Sequence, residues 1–272
     1  MAGPYLSFLT DFGSDTAPAV CRGVIWSIQP TARINDLSHA GRAFGIRDAA
    51  FLLWSAVPYL PVGVHLAVVD PGVGTDRRPI ALRSARGDFF VGPDNGLLVP
   101  AAEQLGGIVA AHVLENRALW RDAVSHTFHG RDIFAPVAAH LAGGTPIEEV
   151  GPSVEPTDLV PLAFPEARAR DGGIDSSVLF VDTFGNCRLA GQPDDLAALR
   201  EGRLDPGDRF RVRIGARSHE VPWQTTFGAV SVNEMLLYED ADYAGLGIAV
   251  YQGSAAERLG LTRDTPVRIE RA

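Results

Sequence analysis

The 272-residue chain contains no lysine, so all 24 of its Lys+Arg positions are arginine. Chemistry that needs a side-chain amine is therefore excluded: a Schiff base, a pyridoxal phosphate anchor, or the lysine of a phosphate-binding P-loop. Cysteine is scarce as well. Cys21 and Cys187 stand far apart with no Cys-x-x-Cys, so neither a disulfide framework nor a zinc ribbon is indicated. No apolar stretch approaches the roughly 18 residues of a membrane span. Basic charge is outweighed, 24 residues against 33 acidic ones, for a formal net charge of -9. A dedicated nucleic-acid or anionic-membrane surface needs the opposite balance, so neither partner is expected. Met1-Ala2-Gly3-Pro4 carries neither a basic run nor a long apolar one, and the expectation is a cytoplasmic protein without a signal peptide.

What is present supports a packed core. Hydrophobic residues make up 46% and charged residues 21%, which argues against disorder, and the length fits one large or two modest domains. The first half alternates strand and helix patterns: strands over 5–9, 33–37, 64–69, 80–84, 88–91 and 109–114, and helices over 17–28, 45–57 and 131–141. In the first helix the apolar positions are Val20, Val24, Ile25 and Ile28. Such alternation predicts an α/β layer structure. From Gly173 onward short strands follow one another between turn residues, over 178–181, 209–214, 219–221, 235–237, 247–251 and 267–270. That pattern predicts a smaller antiparallel β domain. The linker candidate is 161–173, giving an α/β domain over 1–165 and a β domain over 173–272.

Ligand sites in open α/β sheets lie past the carboxyl ends of strands. Two strands end on an acid followed by turn residues: Thr10-Asp11-Phe12-Gly13, and Asp70-Pro71-Gly72-Val73-Gly74. Taken singly, each Asp also reads as a turn cap. Ser125-His126-Thr127-Phe128-His129-Gly130-Arg131-Asp132 gathers two His, an Arg and an Asp just before a helix. A metal site built from Asp11, Asp70, His129 and Asp132 is conceivable, but no metal-ligand spacing supports it, and no metal is expected. His65 and His140, inside a strand and a helix, read as packing residues. Gly92-Pro93-Asp94-Asn95-Gly96 is a turn signal. Asp182-Thr183-Phe184-Gly185-Asn186 ends another apolar strand; Phe184 there can stack a flat base while Asn186 reads its edge, or simply pack into a tight turn.

Taken in order, these segments resemble the S-adenosyl-methionine (SAM) hydroxide adenosyltransferase family, kin of the fluorinase and chlorinase enzymes. The matching pieces are 9–13, 68–74, 92–98, 127–132, 182–186 and the late Gly253-Ser254-Ala255-Ala256-Glu257, which together span nearly the whole chain. The resemblance implies an N-terminal α/β sandwich-type domain, a smaller C-terminal antiparallel β-barrel-like domain, and a homotrimer binding its substrate at the subunit interface. It implies hydrolysis of SAM to adenosine and methionine with no cofactor, SAM being the substrate. The water-handling trio maps onto Asp70, Arg77 and His129: the Asp70 carboxylate can accept from the water, Arg77 holds it in place and His129 adds an oriented contact, with either Asp70 or His129 as the final proton acceptor. Halide-using relatives carry other residues at the position of Asp70.

Binding roles carry over as well. Asp11 would hold the ribose hydroxyls, Phe44 would stack near the sugar or base, and Asn95 lies in the matching turn. Thr127 and Phe128 would line the reacting centre, Phe227 would wall the adenine, Asp182 would meet the methionine ammonium, and Asn186 and Phe184 the adenine. Three segments depart from the family's pattern: Ser14-Asp15-Thr16-Ala17-Pro18, one residue shorter than the usual helix approach; Cys187-Arg188-Leu189-Ala190; and Glu239-Asp240-Ala241-Asp242-Tyr243 in place of a Ser/Gly-containing turn. A chlorinase-like halide transferase and a non-catalytic SAM or adenosine binder are the alternative readings.

Overall fold

The structure, a computed structural model, describes residues 3–272. The chain divides into two compact units, Met1–Ala163 and Phe164–Ala272. The first contains β1 (Tyr5–Thr10), α1 (Ala17–Ile28), β2 (Arg33–Ser38), α2 (Ile46–Ala56), β3 (Val64–Val68), β4 (Pro79–Ser84), β5 (Phe89–Pro93), α3 (Val99–Gln104), β6 (Ile108–Val113) and α4 (Ala135–Ala142). A π-helical turn, Gly130–Phe134, leads into α4. The strands form one sheet in the order β2-β1-β3-β5-β4-β6. β1, β2, β3 and β5 run parallel, and β4 is antiparallel to both its neighbours.

Strand alternation supplies the layers. Leu6 and Phe8 of β1 and Val64, Leu66 and Val68 of β3 share one face, where Cys21 and Ile25 of α1 and Val137, Ala138 and Leu141 of α4 cover them. α2 packs with α3, and these helices also meet β1 and β4 respectively. The expected helix α1 is right in extent and, at three of its four apolar positions, in face: Ile25 is buried and Val24 and Ile28 pack against the same core. Its buried residues are Pro18, Cys21 and Ile25, while Val20 is exposed. His65 is fully buried, as a polar partner in place of an apolar filler: it hydrogen-bonds Ser7 Oγ through Nδ1 (2.8 Å) and Asp88 Oδ1 through Nε2 (3.1 Å).

The second unit contains β7 (Arg168–Arg170), β8 (Gly173–Val181), β9 (Cys187–Leu189), α5 (Pro193–Leu199), β10 (Arg209–Ile214), β11 (Arg217–Pro222), β12 (Met235–Asp240), β13 (Gly245–Val250), α6 (Ala255–Leu259) and β14 (Pro266–Arg271). Its strands follow the order β11-β10-β14-β8-β9-β13-β12, all antiparallel, with β7 added beside β8. A bridge from Trp223 to Leu237 joins the two ends, so the sheet nearly closes into a barrel. Phe210, Val212, Leu237, Ile248 and Ile269 fill it. β7 falls inside the stretch expected to be linker, because its residues are all exposed and offer no alternation to read. α3, α5, α6 and β9 also escaped the pattern reading, being too short to display a period.

Candidate active site

The order β2-β1-β3 reverses direction between β1 and β3, and such a switch point opens a crevice beyond the carboxyl ends of the two strands. Asp11 follows β1 and Asp70 follows β3 by one residue. Register pairs Thr10 with Val68, which brings the two acidic turns to the same edge of the sheet. Asn95, just past β5, donates from Nδ2 to the carbonyl of Val69 at 2.9 Å and so pins the end of β3.

The loop after Asp70 turns back so that Arg77 faces it. Arg77 Nε donates to Asp70 Oδ1 at 3.0 Å, and Nη2 closes a two-pronged pair on Oδ2. Both side chains are more than nine-tenths buried, and the guanidinium lies over the Phe134 ring at 5.2 Å. Arg77 Nη2 also lies 3.4 Å from His129 Nδ1. The trio, drawn from two separate stretches of sequence, therefore meets in one place within the first unit. Gly74 permits the approach: its φ of +80° suits glycine, and a Cβ there would fall 2.8 Å from the carbonyl of His126.

The segment carrying His129 is held from below. Asp132, fully buried, accepts from Arg131 Nε (2.7 Å) and Nη2 (2.9 Å) and from the backbone N–H of Ser125 (2.9 Å). Burial pulls its carboxyl upward, but these donors outweigh burial and leave it below the ordinary carboxylate range. Asp132 and Asp70 are thus each engaged by an arginine. Among the described residues no group of three or more His, Cys, Asp or Glu that could hold a metal is present, so the conceivable set of Asp11, Asp70, His129 and Asp132 is not assembled. His129 caps the π-helical turn, a rare geometry that often marks functional positions. Its pKa is lowered from 6.5, first by burial and then by the Arg77 charge, so the ring is neutral at neutral pH.

Around this trio, Asp11 Oδ2 accepts from the backbone N–H of Phe44 at 2.9 Å. Phe44 has a φ of +62°, uncommon for a bulky residue, and leaves its ring 71% exposed. Phe128 meets Phe12 edge to face at 5.6 Å and carries Arg131 at 5.1 Å from its ring, while Thr127 is exposed.

The remaining candidates belong to the second unit. Asp182 Oδ1 accepts from the backbone N–H groups of Phe184 (2.8 Å) and Asn186 (2.9 Å), and Oδ2 accepts from Asn186 Nδ2 (2.9 Å). Asp182 thus ties its own turn and fixes the Asn186 amide. Asn186, Phe184 and Phe227 line a pocket of about 550 Å³, joined by Tyr251, Gln252 and Ser254. Tyr251 and Gln252 were not among the sequence candidates; nothing in their pattern distinguishes them from any residue at a strand end.

The model of the SAM hydroxide adenosyltransferase N-terminal domain matches residues 6–151, and that of the family's C-terminal domain matches residues 176–268. The chain belongs to the SAM hydroxide adenosyltransferase family. It is 46% identical over 268 residues to an (R)-S-adenosyl-L-methionine hydrolase of Salinispora tropica, covering 98% of this chain and 97% of that one. An (R)-S-adenosyl-L-methionine hydrolase of Thermus thermophilus is 42% identical, with 96% and 98% covered. A fluorinase of Actinopolyspora mzabensis is more distant at 25%, with 99% and 98% covered. Among solved structures, an uncharacterized conserved protein from Thermotoga maritima matches this family member with a TM-score of 0.91 at 36% identity, over 98% of this chain and 100% of that one. The expected fold, α/β followed by an antiparallel barrel-like domain, is borne out.

Proposed function

We propose that this family member is an enzyme that hydrolyses SAM to adenosine and methionine, by in-line attack of water on the ribose C5′. The observation that carries the reading is the buried Asp70–Arg77 pair with His129 beside it. The leaving group departs from a sulfonium as a neutral thioether and needs no general acid. The difficulty lies with the nucleophile, which must be aimed, stripped of solvent and relieved of a proton. Asp70 accepts that proton, Arg77 fixes its carboxylate from two sides, and neutral His129 holds the water through a ring nitrogen. Arg77 Nη1 is buried and meets no hydrogen-bond acceptor among the described residues, which leaves its N–H groups for a nucleophile or substrate oxygen. A carboxylate at this position favours a neutral, proton-bearing nucleophile and repels a halide ion.

Asp11 takes the ribose hydroxyls, with Phe44, Asn95, Thr127 and Phe128 around the reacting centre. The pocket between Phe184 and Phe227 takes the adenine, whose flat faces suit two aromatic walls, and Asn186 reads its edge. Asp182 acts toward the methionine end through the turn it ties. No metal takes part. The working form is a cytoplasmic homotrimer with the substrate at a subunit boundary, supported by the large rings of Phe44 (71% exposed) and Phe184 (76%) that a lone chain leaves in water. Light scattering should then give about three times the 29.0 kDa chain mass. Among the described residues no helix is long and apolar enough to cross a membrane.

Incubation with SAM, with and without chloride and with a chelator, followed by chromatography tests the reading. Adenosine and methionine should form in every arm. A 5′-chloro nucleoside would instead identify a halide transferase, unchanged SAM a binding protein, and loss of activity with chelator a metal hydrolase. The rate should also fall at acid pH as His129 gains a proton, with the midpoint of that limb below 6.5 because burial and Arg77 lower its pKa. In His129→Gln that limb should disappear, and an unchanged limb would remove His129 from the reaction.

A further inference from the structure

Two of the segments that depart from the family's pattern, 187–190 and 239–243, form one unit in the barrel. Arg188 Nε donates to Asp240 Oδ2 at 3.0 Å and Nη2 to Asp242 Oδ2 at 2.6 Å. The guanidinium lies between aromatic rings, 5.6 Å from Phe180 and 5.9 Å from Tyr243. Arg188 and Asp240 are buried, and Asp242 is exposed. An arginine in one segment is thus matched by acids in the other.

Asp240 Oδ2 also accepts from the Tyr238 hydroxyl at 3.4 Å. The Tyr238 ring lies across Gly247, its register partner on β13, where a Cβ would fall 2.4 Å from the ring. The same ring meets Phe227 at a tilt, with ring centroids 5.0 Å apart. Burial, Asp240 and Asp182 push the phenol far up, so it remains a donor at neutral pH. Phe227 itself begins a short 3₁₀ turn, Phe227–Ala229, and is 40% exposed, so few contacts of its own turn fix its ring.

We propose that Arg188, Asp240 and Tyr238 are a positioning unit that holds the Phe227 wall of the nucleoside pocket and thereby sets adenine affinity in this chain. The proposal rests on the reading of that pocket as the adenine site. A wall already held when the ligand arrives does not have to be ordered by binding, which is where its contribution to affinity arises. β9, β12 and β13 are joined through their backbones whether or not the pair is intact, and in Asp240→Asn the buried Arg188 keeps Asp242 as its charge partner, so the cost of breaking a buried pair is reduced. None of the three residues reaches the reacting atoms. They act through Phe227.

The test is adenosine binding by calorimetry, together with SAM kinetics, for wild type, Tyr238→Phe, Asp240→Asn and the double variant. Tyr238→Phe removes one hydroxyl and should fold normally. Adenosine Kd and KM for SAM should each rise about fivefold in Tyr238→Phe with kcat within about twofold. Because both changes cut the same tether, the double variant should bind no more weakly than Asp240→Asn alone. Tyr238→Phe binding adenosine like wild type, or strictly additive losses, would overturn the proposal. Wild type failing to bind adenosine at all would overturn the pocket's assignment and the proposal with it. Equal Kd values in all four proteins overturn the positioning role alone.

Discussion

Asp70→Asn should slow SAM hydrolysis under single-turnover conditions by about 10²–10⁴-fold, the range expected for loss of a positioned general base. Adenosine affinity should stay within about twofold, since Asp70 meets the attacking water and not the nucleoside. Asparagine keeps the size of the side chain and one oxygen for Arg77 Nε, so the buried guanidinium is not abandoned and the fold is kept. Its amide cannot take a proton, and its nitrogen faces Arg77 Nη2 where an oxygen stood. Both changes act on the nucleophile. The alanine variant should lose at least as much rate, with added instability from an arginine buried without its partner. Turnover within tenfold of wild type in Asp70→Asn would place the proton acceptor elsewhere, with His129 the remaining candidate in contact with Arg77.

The largest expected loss of stability follows from Asp88→Ala, far from this chemistry. Asp88 is fully buried and gathers four sets of donors: Arg86 Nε and Nη2 at 2.7 and 2.9 Å, His65 Nε2 at 3.1 Å, Ser84 Oγ at 3.3 Å and the backbone N–H of Gly63 at 3.2 Å. Truncating one member of such a buried network costs about 3–5 kcal/mol, because the remaining polar groups lose their partner without regaining water. Burial alone would raise the Asp88 pKa, but hydrogen bonds from Arg86 and His65 overcome it and hold the group far below its ordinary 3.8. A depressed carboxylate contributes its stability in full above that value and loses it as pH falls toward the folded pKa. Urea unfolding at neutral pH should therefore show the full gap between wild type and Asp88→Ala, and the gap should narrow below pH 3.8. A constant gap across that range would mean that Asp88 acts through packing and not through its charge.

The same residue shows what a linear reading misses. Asp88 and His65 looked unremarkable in sequence, a strand start and a histidine amid apolar neighbours, yet they form the polar centre of the first unit's sheet. Arg188 and Asp240 appeared as two unrelated departures from the family's pattern, and only the pairing of β9 with β13 and of β13 with β12 shows them to be one. By contrast, α1 was legible to its end residues, and β10 as well, because each runs long enough to show its period. One position of α1 was not legible: Val20 is as apolar on paper as Val24, Ile25 and Ile28, yet it alone of the four stays exposed.

By itself the sequence determined the chemistry available and the class of fold. The absence of lysine removed amine catalysis, the alternation of periods set an α/β unit before a β unit, and short acidic turns after strands marked where ligands can meet the chain. Tertiary structure alone decided which of those groups act together. Asp70, Arg77 and His129 share a site because parallel pairing of β1 with β3 sets the crevice and the turn at Gly74 folds one loop against another. Strand pairing and close approach join residues distant along the chain, and no local pattern of apolar and polar residues encodes which partner each will find.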